Sequence, residues 1–533
     1  MTTKRFLILP AEGTRLSDSG LQSPMASRLL ATLQPGNKSE VAKLSRTLSA
    51  SVDSAAGVAR RTGKAGAAAN TGAPDIKVVK SLYEDGIKLV EASEEVLAAL
   101  RHSHPGIRVI EEVFCTPALA PRVDIPLRPA KVTGSATTAA KNAASAPLVV
   151  EVVRGDSNTP VRGADVIAFR TDDDALKKRT TAAGKATFSF AGAVTKVKRL
   201  YVYHEEPGIW GYFKSNVAVS GNSVRVVLAP LDLSVTDSLR HFHKPGALTD
   251  GTGVRVGVID SGAEVDHPDL IDAIEGGANC VPGSTRQPND FGPDGAHGTH
   301  VAGTIAGRGT SPTGIRGNAP GAKLWIYRVF ETGNPGDGSS FAVVDAIERA
   351  INNKCDIINL SLGFKPGVTD PAISAALAKA RSRGVLAIAA AGNDGRKPVS
   401  FPGSDSTCVA VSAIGRKALF PATSTEVDDI AGPSGNDADN FIGGFSNTGA
   451  DLDATGSGVG VVSTFPGGHG VMSGTSMASP SVAGVAARLL AANPAILAMP
   501  RDAARTDAAR KLLMDACKSL GFGILFEGAG LPK

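Results

Sequence analysis

In the C-terminal half of the chain, apolar residues come in short unbroken runs separated by stretches with helical spacing. Val254 to Asp260, Ala322 to Phe330, Asp356 to Leu362, Val385 to Ala391 and Val409 to Ile414 read as strands, while Ser340 to Lys354 and Asp370 to Arg383 read as helices. Runs that are apolar at nearly every position belong to strands covered on both faces. The alternation therefore predicts an α/β unit, a parallel sheet with helices on both sides. The middle of the chain has a different rhythm. Between Leu148 and Asp232, short runs of alternating character (Leu148 to Val153, Ala164 to Arg170, Lys185 to Phe190, Lys198 to His204, Ser223 to Leu228) are broken by glycine and Asp-Ser-Asn turns. That is the pattern of an antiparallel β-sandwich. Ahead of it, strands at Ile76 to Tyr83, Ile87 to Glu91 and Ile107 to Phe114 flank a helix from Ser93 to Arg101, with Ser93 as its cap.

The remaining stretches lack sustained periodicity. Residues 1–74 are rich in Ser, Ala, Gly and Thr and read as a low-complexity segment and linker, although Phe6-Leu7-Ile8-Leu9 has strand character. Residues 117–147, dominated by Ala, Pro, Thr and Lys, read as a second linker. The organisation predicted is thus 1–74 linker, 75–116 small α+β domain, 117–147 linker, 148–232 sandwich and 236–533 α/β domain. A chain of 533 residues is too long for one core, which agrees with about three folded units.

Three separated segments carry chemistry. Gly474-Thr475-Ser476-Met477-Ala478-Ser479-Pro480 presents a serine before an apolar small-residue helix, Val482 to Ala492, with Pro480 expected in its first turn. A hydroxyl is a poor nucleophile at neutral pH and needs a base oriented by a carboxylate. Val254 to Asp260 ends in such a carboxylate, and His297-Gly298-Thr299-His300 opens a helix of small residues. Taken singly, Gly-Thr-Ser is a common turn, an Asp closing a strand is a turn former, and a His near glycine is a loop residue. In the order Asp, His, Ser, with these flanks, they resemble the subtilisin-like serine peptidase family (S8) over residues 236–533.

That resemblance implies a subtilisin-like serine endopeptidase, a peptide hydrolase, with Asp260 orienting the base, His297 as general base and acid, and Ser476 as nucleophile. Ala389 to Gly395 matches the segment where the family places its oxyanion amide, so Asn393 would share that role with the Ser476 backbone N–H. Ser361, Leu362 and Gly363 would wall the primary specificity pocket on one side and Ala390, Ala391 and Gly392 on the other, with Ser400 at its base. No acid or base is expected there, which implies a preference for large apolar P1 residues. His300 is expected to be structural. The 75–116 domain resembles the family's inhibitory propeptide, an intramolecular partner whose tail around Cys115-Thr116-Pro117-Ala118 would lie across the site of a self-inhibited precursor, or zymogen. The sandwich, through Pro160 to Val166 and Thr181 to Phe188, resembles the carboxypeptidase-regulatory type. A rival reading makes the chain an occluded protease-fold binding protein acting through the sandwich. An α/β-hydrolase esterase fits less well, because Ser476 lacks the Gly-x-Ser-x-Gly elbow.

Composition narrows the partners. A formal net charge of +5 is small for this length and implies no nucleic-acid partner, leaving protein or peptide substrates. Five scattered cysteines without metal spacing, and an N-terminal apolar run too short for a secretory leader, lead us to expect a cytoplasmic protein. No stretch is apolar enough to span a membrane, so no membrane partner is expected. No cofactor is expected. Calcium is left uncommitted: Asp269 matches a position that often ligates it in the family, but the loop Arg308 to Ile315 has no carboxylate.

Overall fold

The computed structural model describes residues 3–10, 24–48, 76–123, 147–190, 193–244, 246–331 and 338–533. Its C-terminal half is built on an eight-stranded sheet ordered Ile274–Asn279, Lys323–Arg328, Arg255–Asp260, Ile357–Leu360, Leu386–Ala390, Cys408–Arg416 and Asn440–Ile442, with Ala454–Ser457 also paired to Cys408–Arg416. All pairs are parallel except that of Asn440–Ile442. Successive residues of each strand serve opposite faces. Val256, Val258 and Ile357 join one apolar cluster with the helices His297–Ala306 and Thr475–Ala491. Ile259, Ile358 and Leu360 join another with Ser340–Asn352 and Pro371–Ser382. Strand order reverses around Arg255–Asp260, so Asp260 ends the strand at the topological switch point, where sheets of this class gather ligands.

The two-sheet region between Leu148 and Leu228 carries two strands beyond the five expected, Ala175–Arg179 and Tyr212–Ala218. One sheet is ordered Tyr212–Ala218, Lys196–Tyr203, Asp165–Phe169, Ala175–Arg179, and the other Ser223–Leu228, Leu148–Arg154, Lys185–Phe188. One pair, Ser223–Leu228 with Leu148–Arg154, is parallel rather than antiparallel. Val150, Val152, Val166, Phe188, Leu200 and Val226 fill the space between the sheets.

The N-terminal boundary differs from the expectation. Lys4–Pro10 is not part of a linker but an inner strand of a four-stranded sheet, paired antiparallel to Lys88–Ala92 on one side and Ile107–Glu111 on the other. Helices Pro24–Thr32 and 38–48 pack on the same sheet, while 49–74 lies outside the described residues. The reason is the strand period. Phe6 and Ile8 face the domain's own helices, whereas Leu7 and Leu9 face the α/β domain and share a cluster with Phe341, Val344 and Ile347. The helix Glu94–Ser103 is capped by Ser93, whose hydroxyl accepts from Val96 N at 3.4 Å. The five cysteines are free thiols, and among the described residues no helix is long and apolar enough to cross a membrane.

Candidate active site

Asp260 is fully buried, and Oδ1 accepts two hydrogen bonds, from Ser261 N at 2.7 Å and from His297 Nδ1 at 2.7 Å. His297 is the first residue of its helix, held against the Asp260 strand by glycine. Gly298 N–H donates to Ser261 Oγ at 3.0 Å, and a Cβ at Gly298 would run into the Gly262 carbonyl. With Nδ1–H committed to the carboxylate, the ring presents Nε2 as its basic nitrogen. That Nε2 is buried and has no hydrogen-bond partner among the described residues. His300, by contrast, donates from Nε2 to Val461 O at 2.9 Å, and burial pushes its pKa down to about 3. It stays neutral and ties two elements together.

Ser476 lies in a helix that begins at Thr475, seven residues before the expected start at Val482, so Pro480 sits inside the helix rather than at its start. A proline there cannot donate to the carbonyl four residues back, which belongs to Ser476. Ser361 Oγ fills the gap, donating to Ser476 O at 2.8 Å. The Ser476 hydroxyl in turn donates to Ser361 O at 3.1 Å and is not hydrogen-bonded to His297. Strand Ile357–Leu360 and the serine helix are thus stitched together at the residue expected to react.

The amide of Asn393 is oriented by Thr475. Its Oδ1 accepts from Thr475 N and Thr475 Oγ1, each at 3.0 Å, which turns Nδ2 toward the Ser476 N–H. Both donors converge on one acceptor, the carbonyl oxygen of Ala118, with Ser476 N at 3.1 Å and a close contact from Asn393 Nδ2. The chain leading to Ala118 is extended, and at Ala118 it turns, with Leu119 N donating to Pro117 O at 2.9 Å. Phe114–Pro117 pairs antiparallel with Leu362–Phe364 on one side and Gly338–Ser339 on the other. Ala118 N donates to Ser361 O at 3.1 Å, and Ala120 N to Ser473 O at 2.8 Å. Gly474 makes room for it: with φ at 153°, a Cβ there would stand 2.6 Å from the Ala118 carbonyl oxygen. The segment expected as linker therefore lies in the cleft as far as Ala120, and 124–146 lies outside the described residues.

The chain also resembles known proteins in sequence. A family model described as the subtilase family matches residues 251–530. Over 245 residues it is 41% identical to subtilisin from Bacillus pumilus, covering 46% of this chain and 79% of that one. Subtilisin E of Bacillus subtilis is 41% identical over the same length, 57% of its own, and subtilisin Savinase of Lederbergia lenta is 40% identical over 246 residues, 78% of its own. The chain belongs to the subtilase family.

Its α/β half is accordingly that of a subtilisin-like serine endopeptidase, which needs no organic cofactor. Around the expected specificity pocket, Leu362, Ala390 and Ala391 are buried, while Gly363 and Gly392 keep the walls thin. The base is more polar than expected. Ser400 Oγ donates to Asp394 Oδ2 at 3.2 Å, and Asn447 Nδ2 reaches Asp394 Oδ2 at 2.9 Å and Ser400 Oγ at 3.1 Å. Asp394 lies within the Ala389 to Gly395 segment but pairs with Asn447, 53 residues away, where no local pattern marks the partner.

Calcium, which is commonly bound in the family, does not fit the residues around Asp269. Asp269 Oδ2 accepts from Ile315 N at 2.8 Å and from His469 Nε2 at 2.7 Å, so an imidazole occupies the place of an oxygen-rich cation cage. Among the described residues there is no group of three or more His, Cys, Asp or Glu able to hold a metal ion.

Proposed function

We propose that this subtilase is made as a self-inhibited precursor that cuts its own Ala118–Leu119 bond and then hydrolyses other polypeptides with an apolar P1 residue. One observation carries the reading: the Ala118 carbonyl oxygen lies between Ser476 N–H and the Asn393 amide, with its flanks paired as strands. In the reaction, Ser476 turns its hydroxyl from Ser361 O to His297 Nε2 and attacks the Ala118 carbonyl carbon as His297 takes the proton. Asp260 holds the tautomer and stabilises the imidazolium. The oxyanion stays where the carbonyl oxygen already is, on two preset donors. His297 then protonates the Leu119 nitrogen, which leaves, and water, deprotonated by the same imidazole, releases Ala118 from Ser476.

Large apolar P1 side chains are our reading of the specificity, supported by the Leu362 and Ala390–Ala391 walls. Ser400 limits the depth, and the resident P1 residue is the small Ala118. Cleavage-site profiling with a peptide library tests this, and dominant cutting after Arg or Lys would exclude it. The precursor is tested by intact mass of the purified protein and of Ser476→Ala. The reading expects fragments ending at Ala118 and beginning at Leu119 in the first, and the uncut chain in the second. Uncut protein in both would favour the occluded binding protein.

A further inference from the structure

Past the proposed cut, the chain leaves the α/β domain and crosses the outer face of the sandwich. Arg122 then lies with its guanidinium 5.5 Å from the centre of the Tyr203 ring, and Val123 N–H donates to Tyr203 Oη at 3.2 Å. Tyr203 is a prepared surface. Its ring stacks on Tyr201 at 6.1 Å, Tyr201 stacks on Phe213 at 4.7 Å, and the Tyr201 hydroxyl donates to Asp428 Oδ2 of the α/β domain at 3.0 Å. An aromatic ladder whose middle ring is fixed by a carboxylate, leaving Tyr203 at one end, suits a cationic side chain.

We infer that the outer face of the sandwich is a primed-side extension of the substrate cleft, with Tyr203 binding an Arg or Lys side chain four residues beyond the scissile bond and its hydroxyl bonding the next backbone N–H. The resident segment 119–123 occupies this subsite in the precursor. The site serves polypeptides that carry a basic residue at that distance from the cut. This inference rests on the assignment of Ala118–Leu119 as the scissile bond, and the experiment separates the two.

The probes are the nonapeptide Cys-Thr-Pro-Ala-Leu-Ala-Pro-Arg-Val and its versions with Lys, Ala or Glu in place of Arg. They are given under reducing conditions to the full chain after self-cleavage, with products identified by mass. The expected kcat/KM is about twofold to fivefold higher for Arg than for Ala, the size of a partly exposed cation–π contact, with Glu lowest. The Arg-to-Ala ratio should fall to about one in Tyr203→Leu and persist in Tyr203→Phe, which keeps the ring and also controls for folding. Equal cleavage of the Arg and Ala peptides by the unaltered protein would overturn the subsite, as would an unchanged ratio in Tyr203→Leu. If no peptide is cut between Ala and Leu, or the chain does not process itself, the scissile-bond assignment fails and the subsite with it.

Discussion

The two N-terminal domains meet the protease in opposite ways. The small α+β domain has two apolar faces: one covered by its own helices, the other, through Leu7, Leu9, Leu82, Ile87 and Leu89, merged into the core around Phe341 and Ile347. Polar contacts frame that seam, including Lys80 Nζ with Asp345 Oδ2 at 3.1 Å and Asn352 Nδ2 with Tyr83 Oη at 2.7 Å. The sandwich keeps a closed core of its own and touches the protease along a rim. Trp210 packs on Ile315 and Val462, Phe213 N donates to Thr423 O at 2.8 Å, and Gly208 N donates to His469 O at 2.8 Å. The difference teaches that the small domain is held to the protease by a shared hydrophobic core, whereas the sandwich is an independent body docked beside the cleft.

The largest test of that contrast compares equivalent truncations. Leu89→Ala and Leu200→Ala each remove a fully buried leucine, and each should cost about 2–5 kcal/mol. Only the first should weaken the hold of the small domain, so that hydrolysis of a chromogenic peptide begins sooner after self-cleavage. Leu200→Ala should lower the unfolding midpoint of the sandwich and leave that delay unchanged. A smaller effect is expected at the base of the pocket. Ser400→Gly should raise the ratio of cleavage after Phe to cleavage after Ala about tenfold, measured as relative kcat/KM. Smaller again, His469→Gln removes the imidazole bonded to Asp269 and should lower Tm by a few degrees, as a loss of about 1 kcal/mol implies for a domain of this size. Addition of a chelator should not move Tm at all.

How much the sequence discloses depends on the range of the interaction. Asp260, His297, Ser476 and Asn393 each sit in a local motif because the backbone turn that presents the side chain must be encoded beside it; the structure bonds Asp260 to His297 and sets Ser476 N–H and Asn393 on one carbonyl oxygen. The absence of carboxylates between Arg308 and Ile315 was equally visible. The partner that replaces them was not, since His469 lies 200 residues from Asp269 and looks like any polar residue in a hairpin. The same holds for Lys4–Pro10. Its alternation is readable, but its membership of a sheet with Lys88–Ala92 depends on a pairing across some eighty residues that no local pattern specifies. The start of the serine helix was misread for a different reason, because proline normally marks a first turn and here Ser361 Oγ supplies the bond that allows it inside.

The segment in the cleft is the middle member of a three-stranded arrangement, with chain on both edges. A guest must therefore offer its backbone N–H and C=O groups to either side at once, which helices and the inner strands of a sheet have already spent on their own ladders. Folded proteins become susceptible only as often as they fray, so their lifetime beside this enzyme should follow the free energy of local opening at the target site more closely than its residue sequence.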